Sequence, residues 1–328
     1  MIARGDRREG GRWTTRQRAK NDAIWLVARA AIAASAHIPR GVLVHIGAAL
    51  GAFAYHALRA ARRIAEANVA RVFPELAPAS RRAIVRKTYA TLGRHLGDVV
   101  AMLDPSRPLI PLPLTDGARA CMENAIAEGR GVVFASAHIG PWERVAIALV
   151  EHGIPLTVVA REAYDPRFTA IYNRLRKGHG VNVVYRGARG AATGLVRTLR
   201  RGEVLGVPMD LASRVPSINV AFLGVPAPTP LGPARLALRT GAAVIVGTVA
   251  ASRDGRDGGD GRDSGDGCDG SHDLVVTMTR IETADLEPTE AGERALTTRI
   301  NDELGKRIRA MPEAWVWMHP RWQMQSAE

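Results

Sequence analysis

The stretch from Gly131 to Glu143 reads GVVFASAHIGPWE. Its first part, Gly131–Ala137, is a short apolar run of the kind that forms a strand buried on both faces. Pro141 then opens a helix that runs to His152, because proline at the first helical position has the right φ and no N–H to leave unpaired. His138 therefore stands at the carboxyl end of a strand, just ahead of a helix, and Glu143 lies in that helix's first turn.

Working outward, the same alternation repeats. Strands are expected at Leu156–Ala160, Val181–Tyr185, Val204–Met209, Asn219–Leu223, Ala243–Val249 and Leu274–Thr279. Helices are expected at Asp165–Lys177, Ala191–Arg201, Pro230–Thr240 and about Pro288–Ala310, several of them closed by Gly178, Gly202 or Gly241. Strands alternating with helices imply an α/β fold with a mainly parallel central sheet flanked by helices. In such sheets function gathers at the carboxyl ends of the strands, which is where His138 falls.

The chain has 328 residues, 46 % of them hydrophobic, enough for a full core and against global disorder. Lys+Arg 45 against Asp+Glu 32 gives a net charge of +13, so an anionic partner is expected: nucleic acid, phosphorylated lipid or a membrane surface. Two cysteines, Cys121 and Cys268, exclude a disulfide scaffold and a Cys-rich zinc site. Residues 252–273 repeat Asp at 254, 257, 260, 263, 266 and 269 with Gly in most gaps. The period of three does not supply a calcium loop, so the segment reads as a flexible insertion between two strands.

Residues 1–20 carry seven basic side chains, and two apolar stretches follow, Ala23–Ala36 and Gly41–Leu58. The second would reach roughly 27 Å as a helix, slightly short of a bilayer span. Arg29 inside the first stretch argues against a cleaved signal peptide. A transmembrane anchor, a monotopic or re-entrant element, and two buried helices stay open, with membrane association favoured. The organisation expected is residues 1–60 as a basic N-terminus with membrane-associated helices, and 61–328 as the main domain.

A histidine at a strand tip and an acid one helical turn on can meet. The acid would fix the imidazole tautomer while the ring takes a proton from a hydroxyl. Against this, Glu near a helix start is ordinary capping and dipole chemistry, and a lone histidine is more often structural. Ser136, two residues earlier on the strand, reads as structural. Trp315, Trp317 and His319 alternate, and on a strand they would share one face. That face would be either a membrane-facing edge or a C-terminal plug of the core.

His138-x4-Glu143 resembles the HX4D/E motif of glycerolipid acyltransferases, and the wider context resembles the bacterial lipid A biosynthesis (lauroyl/myristoyl) acyltransferases. Asn68 and Phe73-Pro74, Arg161, Asp210, Phe222-Leu223-Gly224, Thr229–Ala234, Thr240–Ala242 and Pro312–Trp322 all agree with that family in order and spacing. Pro141 and Leu211 depart from it, beside the site. The resemblance implies transfer of a fatty acyl group from a thioester of acyl carrier protein or coenzyme A to a hydroxyl of a membrane lipid or glycolipid, a lipid A precursor first. Other lipids (a phospholipid, an ornithine lipid) and acyl transfer to water are the alternatives. It implies His138 as general base, Glu143 orienting it, and Arg161 on the substrate side binding phosphate or developing charge. Asp210, at another strand end, could hold a substrate hydroxyl or a basic neighbour, and Arg186 and Arg214, which follow or flank strand ends, could contact lipid phosphates, though each alone reads as a solvated charge. It implies no metal and no cofactor beyond the acyl co-substrate. It also implies an anionic membrane surface as partner, at the cytoplasmic face of the inner membrane. Nucleic-acid binding, the rival suggested by charge, lacks any matching motif, and aromatics are only 5 %.

Overall fold

The computed structural model describes residues 11–212, 215–252 and 274–322. The Asp/Gly-rich insertion, from 253 to 273, and Arg214 lie outside the described residues.

Five helices precede the sheet: α1 Thr15–Ser35, α2 Arg40–Ala57, α3 Arg59–Val72, α4 Pro78–Met102 and α5 Asp116–Ala127. The alternating part follows as β1 Val132–Ser136, α6 Trp142–Glu151, β2 Leu156–Ala160, α7 Pro166–Gly178, β3 Asn182–Tyr185, α8 Ala191–Arg200 and β4 Val204–Pro208. Then come β5 Ser217–Phe222, β6 Val225–Pro230, α9 Gly232–Thr240, β7 Ala243–Ala251, β8 Leu274–Ile281 and α10 Glu290–Ala310. The main sheet has the order β3-β2-β4-β1-β7-β8, and its pairings are parallel except β7 with β8. The mixed α/β layer architecture is thus the one expected. β1 is central and buried on both faces, which is why Val132–Ala135 is a continuous apolar run.

The chain passes from β1 through α6 to β2, then to β3, and returns to insert β4 between β1 and β2. Its register sets the site. Ser136 pairs with Pro208 across the parallel β1–β4 ladder. His138 and Asp210, each two residues further on, therefore leave neighbouring strands at the same height.

β5 and β6 form a separate antiparallel hairpin. β6 reads Val-Pro-Ala-Pro-Thr-Pro, and its prolines hide it from sequence reading, since proline is admitted only on edge strands. The helix expected from Pro230 consequently starts at Gly232. The C-terminal segment differs from the strand expected. Pro312–Ala314 is a 3₁₀ turn, Trp315 makes a single bridge to Ile139, and the rest is turns. Trp315 and Trp317 are fully buried, so they plug the core and face no membrane.

At the N-terminal side α2 lies backbone-to-backbone on α4. A Cβ on Gly47 would sit 2.1 Å from the Gly93 carbonyl oxygen, and one on Gly97 2.2 Å from that of Leu43. α2 thus buries Leu43, Val44, Gly47 and Gly51. The opposite face leaves Val42, Ile46, Leu50 and Phe53 exposed, Phe53 by 69 %. No single helix among the described residues is long and apolar enough to cross a membrane; α2 and α3 pass that test together but meet at 89°. The boundary expected after residue 60 falls inside α3. α1 is fastened to α7 by Arg167, which pairs with Asp22 at 2.7 Å and lies over the rings of Trp13 and Trp25.

Candidate active site

The loop after β1 is held on both sides. Gly140 adopts φ +59, a left-handed conformation that glycine takes without a Cβ penalty. Its N–H donates to the Ala314 carbonyl at 3.0 Å, and Ile139 bridges Trp315. This fixes His138 against the C-terminal segment as well as the sheet.

Asp210, at the end of β4, is fully buried. Its Oδ1 lies 2.9 Å from His138 Nδ1, and its Oδ2 accepts from the His138 backbone N–H at 2.9 Å and from Trp315 Nε1 at 2.7 Å. A carboxylate with three donors stays ionised. Burial pushes its pKa up, but the charge and hydrogen bonds of His138 outweigh that and hold it below the usual range. The imidazole answers in kind. Burial pushes its pKa down, and the charge and hydrogen bond of Asp210 carry it above the ordinary 6.5. With Nδ1 donating to Asp210, the lone pair is on Nε2, which has no partner among the described residues. The edge of the Trp142 ring packs on His138 at 5.1 Å between centroids.

Glu143 is placed differently from the sequence expectation. Arg176 of α7 grips it with two hydrogen bonds, Nε to Oε2 at 3.0 Å and Nη2 to Oε1 at 2.6 Å. The first turn of α6 directs the side chain toward α7, so the carboxylate ties two helices together and the His138 ring is hydrogen-bonded by Asp210 instead. Glu143 still acts on His138 through its charge, as one of the groups raising the imidazole pKa.

His138, Glu143 and Arg176 line a cavity of about 1380 Å³ above the carboxyl ends of β1, β2 and β4. Phe134, Leu149, Leu156, Val158, Leu205 and Leu236 make an apolar wall. Arg161 and Arg186, which follow β2 and β3, line its far end. They are close enough that the charge of Arg161, after burial, helps lower the pKa of Arg186. With strands about 4.8 Å apart, β2 and β3 lie about 10 and 14 Å from β1, so Arg161 and Arg186 leave the sheet on its second and third strands from His138. Asp210 does not line the cavity; its contacts assign it to orienting His138 rather than to touching substrate. Ser136 donates to the Gly247 carbonyl at 2.9 Å, in keeping with a structural reading. No cluster of three or more His, Cys, Asp or Glu suited to a metal ion occurs among the described residues.

Three features escaped sequence reading. Arg176 lies on the solvated-looking face of a helix, and nothing local marks it as the partner of Glu143. The C-terminal segment acts as a clamp. Asn68 of α3 donates from Nδ2 to the carbonyls of Trp317 and His319, both at 2.8 Å. Arg321, fully buried, donates to Pro228 and Thr229 of the hairpin and has its pKa pushed down by burial to about 10. The ring of His319 lines the cavity beside His138.

A family profile described as bacterial lipid A biosynthesis acyltransferase matches residues 13–324. The chain belongs to that family. Among individual relatives, it is 28 % identical over 205 residues to a phosphatidylinositol mannoside acyltransferase of Mycobacterium tuberculosis (strain CDC 1551 / Oshkosh), covering 61 % of this chain and 57 % of that one. It is 24 % identical over 201 residues to the phosphatidylinositol mannoside acyltransferase of Mycolicibacterium smegmatis, covering 61 % and 59 %. The matched stretch thus spans under two thirds of these relatives, whereas the family match spans nearly the whole chain. The acyltransferase family is the one the His138-x4-Glu143 spacing and the Pro312–Trp322 segment resemble.

Proposed function

We propose that this acyltransferase-family member transfers a fatty acyl group from a thioester, of acyl carrier protein or coenzyme A, to a sugar hydroxyl of a phosphorylated glycolipid. The class includes lipid A precursors and phosphatidylinositol mannosides. The observation that carries the reading is a single one. His138, held by Asp210 through Nδ1 and with no partner for Nε2 among the described residues, lines a cavity that has both an apolar wall and arginines.

In the reaction, His138 Nε2 takes the proton of the acceptor hydroxyl as its oxygen attacks the thioester carbonyl carbon. A C–O bond forms, the C–S bond breaks, and the proton on the imidazole passes to the departing thiolate. Asp210 stabilises the imidazolium formed on the way. The apolar wall takes the acyl chain. Arg161 and Arg186 bind phosphate, which favours a phosphorylated headgroup.

The protein works at the cytoplasmic face of the inner membrane on this reading. Its support is the exposed stripe Val42, Ile46, Leu50 and Phe53 on α2, beside exposed Ile24, Leu26 and Val27 on α1. An apolar face of this kind marks a membrane or partner site. Because the other face of α2 is locked on α4, the helix lies in the interface rather than across the bilayer.

The test is lipid mass spectrometry on cells with and without the gene, complemented by wild type or His138→Ala. A phosphorylated glycolipid gaining one acyl group, only with wild type, is the expected result. Free fatty acid with no acylated lipid would establish a hydrolase instead.

A further inference from the structure

We propose that His319 is a second catalytic residue, the donor that binds the thioester carbonyl oxygen while His138 acts on the hydroxyl. The inference rests on the acyl-transfer reading above and assigns a residue that reading leaves without a function.

Attack on a thioester carbonyl moves charge onto the carbonyl oxygen, and a fixed N–H or O–H aimed at that oxygen is needed to stabilise it. Two cations of the cavity are taken up by carboxylates, Arg176 by Glu143 and Arg235 by Glu293. Arg161 and Arg186 follow strands about 10 and 14 Å across the sheet. His319 is mounted on the C-terminal segment, which is bonded directly to the His138 loop by the Ile139–Trp315 bridge and by Gly140 N–H to Ala314. Its backbone is held by three hydrogen bonds: its N–H donates to Val316 at 3.1 Å, and its carbonyl accepts from Asn68 Nδ2 and from the Arg321 N–H, both at 2.8 Å. The backbones that carry the two imidazoles are therefore fixed relative to each other before substrate arrives.

The ring chemistry fits a donor. His319 Nδ1 is shut off from solvent and has no hydrogen-bond partner among the described residues. Of the two neutral tautomers, the one with the proton on Nε2 leaves only a lone pair unmet at Nδ1, and a buried acceptor without a partner is less unusual than a buried N–H without one. That tautomer presents an N–H to the cavity. Burial keeps the ring neutral by lowering its pKa, and the charges of Arg321 and His138 act in the same direction against Asp210. A neutral donor stays in place when the neighbouring His138 becomes positive.

During the step the oxygen gains negative charge as the acceptor oxygen bonds to carbon. His319 Nε2–H hydrogen-bonds it without giving up the proton. The bond relaxes when the C–S bond breaks and the carbonyl re-forms.

The experiment compares wild type, His319→Ala and His319→Gln, with palmitoyl-CoA and palmitoyl-acyl carrier protein as donors and detergent-dispersed phosphatidylinositol mannoside and a lipid A precursor as acceptors. Released thiol and acylated lipid are both measured, with thermal melting run alongside. His319→Ala is expected to lower kcat about 10²–10³-fold, with KM within a few-fold and the acid limb of the pH profile, set by His138, unmoved. His319→Gln, which keeps an N–H, should regain part of the lost rate. Ala at wild-type kcat, or Gln no better than Ala, overturns the proposal. A wild-type protein that releases no thiol from either donor with either acceptor overturns the acyl-transfer reading and this inference with it. Wild type active alongside an equally active His319→Ala overturns this inference alone.

Discussion

Replacing Asp210 with Asn separates the role of this carboxylate from that of Glu143. Asp210 Oδ2 faces two fixed donors, the His138 backbone N–H and Trp315 Nε1. An Asn must turn its carbonyl to that pair, because its NH2 there would meet two N–H groups. The NH2 then faces His138 Nδ1. A donor at that position forces the ring to accept with Nδ1 and to carry its proton on Nε2, the tautomer that cannot take a proton from a hydroxyl. The hydrogen-bond count survives and the chemistry does not. The expected loss in kcat is about 10²–10⁴-fold, the worth of a general base. A second signature is pH. In wild type the acid limb of kcat/KM lies above 6.5, because Asp210 raises the His138 pKa. In Asp210→Asn any residual limb moves to lower pH. Stability follows the same pair. The raised pKa of His138 contributes stability below its unfolded value of 6.5, lost as pH rises through the folded value. The depressed pKa of Asp210 contributes above its unfolded value of 3.8, lost as pH falls through the folded value. The two overlap between those values, so Asp210→Asn should lower the melting temperature more near pH 5 than near pH 9. Steady-state acyl transfer across pH, with melting curves at both ends, is the assay. A variant within about fivefold of wild type, with an unshifted acid limb, would refute the orienting role.

Glu143→Gln should act chiefly on stability. It weakens a charge-assisted pair worth about 1.5–3 kcal/mol, and denaturant unfolding should show that loss with a smaller fall in kcat than Asp210→Asn; the reverse order of kcat losses would return the orienting role to Glu143. Gly93→Val places a Cβ 2.1 Å from the Gly47 carbonyl oxygen, so α2 must part from α4 at a cost of about 1–3 kcal/mol or more; an unchanged unfolding midpoint would show that the helices do not pack this way. Leu50→Glu with Phe53→Glu puts two charges on the exposed face of α2, so co-flotation with anionic vesicles should fall several-fold while melting stays the same; undiminished flotation would move the membrane contact elsewhere.

The sheet was legible wherever an element announces itself locally. β1, β2 and β4 are short, mostly apolar runs, and β2 matches its expected span, Leu156–Ala160, at both ends. β6 was not legible, because three prolines in six residues read as loop and only pairing with β5 makes it a strand. The C-terminal aromatics were half legible. Alternation on a strand left a membrane-facing edge or a core plug open; the segment is turns, and the plug is what forms, with Trp315 and Trp317 packed edge to face at 4.7 Å inside the core and their carbonyl and N–H groups bonded to Asn68, Asp210 and Pro312.

The site divides along the same line. His138 was legible because its meaning is local, the tip of a strand before a helix. Its partner was not, because pairing depends on which strand lies beside β1. Spacing along the chain put Glu143 five residues away and Asp210 seventy-two away, and local reasoning chose the nearer acid. The fold inverts that order. β4, reached only after two intervening strands, is inserted next to β1 with Ser136 opposite Pro208, and the parallel register brings Asp210 level with His138. Meanwhile α6 turns Glu143 toward Arg176 of α7. Two acids near one base thus take separate tasks: the one past β4, tied to the His138 backbone and to Trp315, sets the tautomer and charge of the imidazole. The other joins α6 to α7 and adds to the His138 pKa only at a distance. In a parallel sheet, the groups that can act on a residue at a strand tip are those at equal height on adjacent strands. An acid two residues past a strand end is therefore a stronger candidate partner than one a helical turn downstream, once strand order is known.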